Sequence, residues 1–262
     1  MTSAVAVLRC VEALGASFGF ERSAKLVDGA LYDDRCLMSL HRSAFGADPV
    51  SALCELVSVL GAPEFVRDAL PEAMRGAQVF HIGHESEGGE AMRKLYFEYL
   101  GDARAAMAAG RPVLVHLAHK WVVGAARSTA ITRYVWRPCA TLADAEARIV
   151  ERLPAPRLRV IALDLLERAA SLADKGGFNM LDVEEAGNPR HSLDINLYDA
   201  RLALSDVEPL LMRAGVAFSV PSTRIISVFQ PAQAPLGHLA AGVDRKGREF
   251  VTFYFGVEAR GK

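Results

Sequence analysis

Lysine, tyrosine and carboxylate side chains alternate with apolar residues along several short segments of this sequence. Three segments have this pattern, and their polar members are Lys94, Tyr96 and Glu98 in RKLYFEYL, Ser192, Asp194, Asn196 and Tyr198 in HSLDINLYDA, and Thr252, Tyr254 and Gly256 in FVTFYFGVE. Clustered basic groups bind an anion such as phosphate. Tyrosine rings stabilise a cation, and a carboxylate can accept a proton. The combination suits a site that binds phosphate beside a positive charge.

The alternation has period two, the spacing that places successive side chains on opposite faces of a β-strand. In each segment the other face is an unbroken apolar row, for example Leu193, Ile195 and Leu197. An ordinary wet sheet face would carry long solvated charges, whereas here His, Tyr and Asn recur from strand to strand. We therefore interpret the polar face as the lining of a cavity.

Further segments extend this lining when the register is applied strand by strand. The predicted inward residues are His81, Gly83 and Glu85 in VFHIGHE, His116, Ala118 and Lys120 in VLVHLAHKW, and His238, Ala240 and Gly242 in GHLAAGVD. Two segments stay ambiguous. In TRYVW, the inward side is either Arg133 or the set Thr132, Tyr134 and Trp136. RIISVFQ, if it is a strand, leaves the face of Arg224 open.

The elements that must position these residues are hairpins separated by helices. Gly and Pro turn signals join the strands in pairs, and no βαβ alternation occurs. The sequence predicts an α+β fold with a closed or nearly closed antiparallel β-barrel of about ten strands, helices packed outside and a polar lumen. We expect one domain over residues 1–262. Residues 1–76 are predicted to be mainly helical, starting with a helical region over roughly 4–30 that Gly15 and Gly19 interrupt, followed by a strand at Arg35 to His41. Residues 77–262 are predicted to hold hairpin pairs with intervening helices.

The composition disfavours several classes of function. In this chain of 262 residues, 30 Lys and Arg nearly balance 31 Asp and Glu, so no global field attracts nucleic acid or an anionic membrane. No apolar run reaches the roughly 18 residues that a membrane span needs, and the N-terminus lacks a signal-peptide pattern. The four cysteines have neither metal-site nor disulfide spacing, which favours the reducing cytoplasm. Dinucleotide, nucleotide and α/β-hydrolase motifs are absent from the sequence.

The KLYF run, in which Lys94 and Tyr96 share one strand face, resembles the K-x-Y strands of the ABBA-type (PT-barrel) prenyltransferases. That family is also similar in its expected architecture, a closed antiparallel barrel with helices outside and substrate in the lumen. The resemblance implies a biosynthetic transferase that moves a prenyl group from an allylic diphosphate to an electron-rich aromatic or peptide side-chain acceptor. Its partners would be small molecules, with neither nucleic acid nor a membrane involved. No cofactor is certain, and whether Mg²⁺ assists stays open.

The same resemblance implies roles for individual residues. Lys94 and Lys120 would bind the diphosphate, and Glu85 would act as the general base toward the acceptor. Tyr96, Tyr198 and Tyr254 would shield the allyl cation. The catalytic residues would then be Glu85, Lys94 and Tyr96. The predicted substrate contacts are Lys120, Arg133, Asp194, Asn196, Tyr198, Arg224, His238 and Tyr254.

Two other functions use the same cavity. His81, Glu85, His116 and His238 could converge as a site for Fe(II), Zn or Mn, because imidazoles with one carboxylate make an adequate set of ligands. Their spacing matches neither a cupin nor an HExxH pattern. A non-catalytic barrel that binds a small hydrophobic or phosphorylated ligand is the third hypothesis.

Overall fold

Antiparallel strands close into a barrel in the computed structural model, which describes residues 3–125, 129–172 and 178–261. The strands are β1 (Phe18–Val27), β2 (Ala30–Tyr32), β3 (Arg35–His41), β4 (Val79–Glu87), β5 (Glu90–Glu98), β6 (Val113–Val122), β7 (Thr129–Arg137), β8 (Met180–Glu185), β9 (His191–Asn196), β10 (Leu236–Val243) and β11 (Glu249–Arg260). Strand β11 pairs with both β10 and β1, which closes the ring. The short β2 is added beside β1. The predicted closed antiparallel barrel of ten strands is confirmed within the described residues.

Helices cover the outside of this barrel. They are α1 (Ala4–Glu12), α2 (Pro49–Val59), α3 (Glu64–Asp68), α4 (Leu70–Ala73), α5 (Leu100–Ala108), α6 (Leu142–Arg152), α7 (Pro156–Ala170), α8 (Glu208–Ala217) and α9 (Ser222–Val228). Local sequence signals determine where several helices begin. Asp48 caps α2, and Thr141 forms a capping box with Asp144 at the start of α6. In the described part of the chain, no helix is long and apolar enough to cross a bilayer.

The hydrophobic core lies between the helices and the outward faces of the strands. Phe80 and Phe97 pack edge to face from β4 and β5, with 5.9 Å between their ring centroids, in a core that includes residues of α1 to α4. On the other side, Leu193 and Phe253 belong to a core that includes residues of α6 to α9. Burying one such side chain contributes about 1.5–3 kcal/mol. Because this outer layer supplies the apolar burial, the lumen is left for polar groups.

The predicted helix over residues 4–30 is wrong beyond Glu12. Gly15 takes a left-handed conformation (φ 65°) after the helix, and the chain then enters β1. Residues of β1 pair with β11, for example Ser23 with Tyr254, and this pairing closes the barrel. A long-range partner therefore decided a segment whose local apolar spacing favoured a helix. The part described within residues 1–76 contributes β1 to β3 as well as α1 to α4.

RIISVFQ is a helix for most of its length rather than a strand. It lies largely in α9, where Ile225 and Val228 are buried at helical spacing while Ile226 is exposed. Helix α9 packs closely on α8, since a Cβ atom placed on Gly215 would lie only 2.8 Å from Ile225. The β-branched residues that favour a strand are here used to pack one helix against another.

Candidate active site

The barrel lumen contains two adjoining cavities that lie toward opposite ends. The basic cavity, of about 230 Å³, is lined mainly by Lys25, Glu85, Glu87, Glu90, Lys94, Lys120, Arg190, Asp244, Arg245, Lys246 and Arg248. The aromatic cavity, of about 380 Å³, includes Glu21, Ser39, His81, Tyr96, Glu98, His116, Tyr134, Asp194, Asn196, Tyr198, His238 and Tyr254 in its lining. Lys94 lines the first and Tyr96 the second, from the same face of β5. The two cavities therefore meet at this K-x-Y pair.

Lys94 and Lys120 stand directly opposite each other on β5 and β6. Opposed like charges on one sheet face repel, so each lysine needs a counter-charge. Lys94 donates to Glu85, which also accepts from Arg35. Lys120 donates to Glu185 over 2.9 Å, with side chains only 1% and 0% exposed. The lysines are held in place by ion pairs buried within the lumen.

Basic groups outnumber carboxylates around this lysine pair. The basic side chains are Arg35, Lys94, Lys120 and Arg190, and the carboxylates that interact with them are Glu85 and Glu185. Burial lowers the pKa of Lys94 to about 7, and Arg35 and Arg190 act in the same direction. Burial, with Arg190 and Lys94, holds the pKa of Lys120 well below its usual range. Burial alone would raise the pKa of Glu85, but Arg35 and Lys94 outweigh it and lower that pKa well below its usual range. A bound anion would relieve this excess of positive charge.

Two guanidinium groups of this cluster keep buried N–H donors that lack a hydrogen-bond partner among the described residues. They are Nη1 of Arg35 and Nε of Arg190. Arg35 uses its other nitrogens on Ser23 (Nε to Oγ, 3.2 Å) and on Glu85. A buried donor without an acceptor costs about 1–3 kcal/mol. These donors would be satisfied by oxygen atoms of an anion in the lumen.

Tyrosines surround the aromatic cavity. The hydroxyl of Tyr134 donates to that of Tyr96 over 3.4 Å, and Tyr254 stacks on the imidazole of His238 with 3.7 Å between ring centroids. Burial raises the pKa of Tyr96 and of Tyr254 above the ordinary value, so both remain neutral phenols. Neutral, electron-rich rings around a small volume can stabilise a cation.

A carboxylate network lies across the same cavity. His238 donates through Nδ1 to Asp194 over 2.8 Å, and its Nε2 lies 3.4 Å from Glu21. Glu21 also accepts from the Tyr198 hydroxyl over 2.8 Å. Burial would lower the pKa of His238, but Asp194 and Glu21 raise it to about 10. Gly237 leaves space for this network, because a Cβ atom there would lie 2.1 Å from a Glu21 oxygen.

A third polar group lies on the cavity wall. His81 donates through Nε2 to Glu98 over 2.9 Å, and its Nδ1 is hydrogen-bonded to Ser39 Oγ over 2.7 Å. The ring of His116 meets that of His81 edge to face, with 5.5 Å between centroids. Burial lowers the pKa of His116 to about 4, so its imidazole is neutral near pH 7.

Solved structures share this arrangement of strands and helices. PriB, in a binary complex with product diphosphate, matches with a TM-score of 0.63 and 17% identity, over 90% of this chain and 79% of its own. The 5-dimethylallyltryptophan synthase of Streptomyces coelicolor matches with a TM-score of 0.61 and 15% identity, over 90% and 80%. The NotF prenyltransferase gives 0.53 and 11%, over 90% and 80%. The protein has the ABBA prenyltransferase fold. No protein-family model and no curated protein sequence matches the chain.

Most residues predicted from the sequence do line the lumen of this prenyltransferase-fold barrel. Glu85, Lys94 and Lys120 lie in the basic cavity. Those in the aromatic cavity are Tyr96, Asp194, Asn196, Tyr198, His238 and Tyr254. The ambiguity in TRYVW is resolved in favour of the inward set, since Thr132, Tyr134 and Trp136 are buried and Arg133 is exposed.

Two predicted substrate contacts, whose faces the sequence leaves open, lie outside the lumen. Arg133 is exposed, between the inward neighbours Thr132 and Tyr134, so period two carries it to the outer face of β7. Arg224 is exposed on α9, where it donates to Asp33 over 2.7 Å. The predicted metal ligands also separate: Glu85 pairs with Arg35 and Lys94, and His238 with Asp194 and Glu21, so only His81 and His116 stay together.

Several residues of the site were not recognised from the sequence, namely Glu21, Arg35, Glu185 and Arg190, while Tyr134 was left open as one of two alternatives. For Glu21 a signal existed, because Glu21, Ser23 and Lys25 alternate with Phe20, Ala24 and Leu26 except at Arg22. This alternation was not recognised, because the segment lies within the predicted helical region of residues 4–30 and Gly19 interrupts the pattern. Arg190 comes from the turn between β8 and β9, where strand periodicity says nothing about direction.

Proposed function

We propose that the protein transfers a prenyl group from an allylic diphosphate to an electron-rich aromatic acceptor within the barrel lumen. The observation that carries the proposal is the contact between an excess of buried cations and a tyrosine-lined cavity at Lys94 and Tyr96. Diphosphate needs the first environment and an allyl cation needs the second. The fold shared with PriB, whose structure contains product diphosphate, supports the proposal.

The donor diphosphate binds at the junction of the two cavities. Lys94 and Lys120 supply charge there, and the free N–H groups of Arg35 and Arg190 supply directed donors. Such preorganised groups stabilise the negative charge that develops on the diphosphate as the carbon–oxygen bond breaks. Glu85 and Glu185 hold the cations in position while no anion is bound.

In the reaction, the allylic carbon–oxygen bond breaks and diphosphate leaves with the electron pair. The allyl cation lies among Tyr96, Tyr134 and Tyr254, whose ring faces stabilise it. A carbon of the acceptor ring then forms the new bond, and the proton on that carbon passes to a base. Transfer to a heteroatom of the ring would release its proton in the same way.

We assign the base role to Glu21 rather than to Glu85. Glu85 is engaged by two cations, which lower its pKa and make it a poor proton acceptor. Glu21 belongs to the first barrel strand and lines the aromatic cavity, where the acceptor binds. The ABBA family resemblance implies a carboxylate on an early strand for this role, and Glu21 fits that description better.

The acceptor is an indole or a comparable aromatic ring. A cavity of about 380 Å³ lies within the size range of small-molecule sites. One protein with this fold is named for dimethylallyltryptophan, and another was solved with brevianamide F. A side chain of a peptide is the second form that such an acceptor could take. The first kind of acceptor is a small molecule and the second is a short peptide. We infer that the enzyme binds them in the cytoplasm.

The direct test incubates the protein with dimethylallyl diphosphate and either tryptophan or brevianamide F, with and without Mg²⁺. The expected result is release of diphosphate together with an acceptor whose mass has increased by one prenyl unit. Geranyl diphosphate and simple phenols extend the test to other donors and acceptors. Absence of product with every donor, combined with a small molecule that co-purifies with the protein, would instead support a non-catalytic ligand-binding barrel.

A further inference from the structure

The wall of the aromatic cavity contains two imidazoles and a carboxylate that the proposed transfer does not use. His81, Glu98 and His116 come from three successive strands, β4, β5 and β6, and line the same cavity. Glu98 stands directly opposite His116, and it stands opposite Val79, two residues from His81. Side chains in opposite and diagonal positions of one sheet face are within reach of each other. One ligand atom from each lies within 4.8 Å of the other two.

We propose that His81, Glu98 and His116 bind a divalent transition-metal ion of the zinc class, with its remaining coordination positions open to the cavity. Two imidazoles and one carboxylate are ligands that zinc and related ions prefer. A site with three protein ligands leaves room for a donor atom of a small molecule. The proposal concerns the metal alone and holds whether or not the barrel transfers prenyl groups.

The present distances require little movement to accept an ion. Zinc binds His nitrogen and carboxylate oxygen at about 2.0–2.2 Å, so two ligands of a tetrahedral ion lie about 3.3 Å apart. Nε2 of His81 and Oε2 of Glu98 are already 2.9 Å apart. One ligand atom of His116 lies within 4.8 Å of the other two, so His116 must move closer to complete the set.

The surroundings of the two histidines also suit metal binding. Ser39 holds Nδ1 of His81, and a hydrogen bond at one ring nitrogen directs the other toward a metal, as outer partners of metal ligands do. Nδ1 of His116 is buried and has no hydrogen-bond partner within the described ranges. The structure thus contains one imidazole oriented by a neighbour and another with a nitrogen still to be satisfied.

The site differs from the metal set expected from the sequence. Glu98 replaces Glu85, which is ion-paired with Arg35 and Lys94. His238 is not part of the site, because its ring nitrogens pair with Asp194 and Glu21. An ion held by His81, Glu98 and His116 would stand on one wall of the cavity that we assign to the acceptor. There it would bind an oxygen or nitrogen atom of the molecule in the cavity and so orient it.

The test titrates chelator-treated protein with Co²⁺ near neutral pH and follows visible absorption, because Co²⁺ reports its coordination by colour. The expected result is one Co²⁺ per chain, with absorption bands typical of four or five ligands that disappear when Zn²⁺ is added. Elemental analysis of the dialysed protein measures the zinc content independently. No binding of either ion by the folded wild-type protein would overturn the proposal.

Variants locate the ion. We expect His116→Ala and Glu98→Gln each to weaken Co²⁺ binding by a hundredfold or more, and Ser39→Ala by about 10–100-fold, the usual effect of losing an outer partner. His119→Gln is the matched control, since His119 lies on the same strand but packs on Phe97 in the outer layer. Glu98→Gln preserves side-chain size, and circular dichroism verifies that each variant is folded. Equal affinity in the wild type, His116→Ala and Glu98→Gln would show that the ion binds elsewhere.

Discussion

Lys94 in the basic cavity and His238 in the aromatic cavity have pKa values in the reverse of the order expected for a lysine and a histidine. The pKa of the lysine falls to about 7, whereas that of the histidine rises to about 10. Both groups are buried in one lumen, and burial pushes both pKa values down. The difference comes from their neighbours, because Arg35 and Arg190 counteract the effect of Glu85 on Lys94, whereas His238 lies between two carboxylates. The lumen is therefore divided into an end that attracts an anion and an end that already holds a cation among carboxylates.

The division matches the two halves of the proposed reaction. Diphosphate belongs beside Lys94, where it would raise the lysine pKa and satisfy buried donors. The acceptor belongs beside Glu21 and His238, where a proton must finally be placed. Each of the following experiments changes one end of the lumen and uses the other end, or the outer face, as its reference.

The largest effect is expected from Lys94→Ala. Loss of a preorganised charge at the diphosphate should lower kcat by about 10²–10³-fold and weaken the binding of inorganic diphosphate. Steady-state kinetics and calorimetry measure the two quantities. Arg133→Ala is the control, because Arg133 is exposed on the outer face of the barrel and should leave both unchanged. Normal turnover in Lys94→Ala would contradict a donor site in the basic cavity.

Glu21→Gln should come next, with kcat about a hundredfold lower and the affinity for diphosphate nearly unchanged, because the base is lost but the donor site is intact. Glu85→Gln is the comparison. It removes a negative charge from the cationic cluster, so diphosphate should bind at least as tightly as in the wild type. If Glu85→Gln stopped proton removal from the acceptor and Glu21→Gln did not, the base would be Glu85 as first predicted.

The carboxylate end can be tested through stability. The folded pKa of His238 is raised from 6.5 to about 10, so its contribution to the free energy of unfolding is complete below pH 6.5 and disappears as the pH rises toward 10. The stability difference between wild type and His238→Gln should therefore shrink by about 1.4 kcal/mol per pH unit across this range. Urea denaturation at several pH values measures it. Taking the difference between the two proteins cancels the contribution of Lys94, whose lowered pKa makes stability change with pH in the opposite direction. A constant difference would show that His238 is not protonated in the folded protein.

The smallest effect is a proton taken up with diphosphate. At pH 8, above the pKa of about 7, Lys94 is mostly neutral, and a bound anion should return its charge. Calorimetry in buffers of different ionisation enthalpy should detect uptake of up to about one proton per diphosphate. Lys94→Met removes this titrating group and should lower the uptake, and any uptake that remains is expected from Lys120, whose pKa is also lowered. Equal uptake in both proteins would assign the proton to another group.

Much of the fold was predictable because its signal is local. Alternation such as that of Lys94, Leu95 and Tyr96 indicates which side chains share a face, and the structure confirms this sorting for most residues of β4 to β6 and β9 to β11. Gly256 is an exception: a Cβ atom there would lie 3.6 Å from the guanidinium of Arg22, and Val257 lines the cavity instead. The first strand was not recognised, because the pairing of β1 with β11 joins residues more than 200 positions apart. The strand prediction for RIISVFQ was wrong for a related reason, since its buried face packs on α8, a contact that the local sequence does not show.

The sequence predicted which residues line the site better than it predicted what each of them does there. Glu85 has the residue type of a general base, but the ion pairs that Arg35 and Lys94 bring to it depress its pKa and remove it from that role. His238 has the residue type of a metal ligand, yet Asp194 and Glu21 hold both of its ring nitrogens. Roles of this kind depend on which charges lie within a few ångströms.

The sequence by itself determined which side chains face inward along most of the barrel and what types of group the lumen holds, because period two is a property of each strand alone. Only the tertiary structure decided how these groups are paired, which of them carry charge, and that Glu21, Arg35 and Arg190 join them. The physical reason is that charge and hydrogen bonding depend on distances across the barrel, and those distances are set when β11 closes on β1.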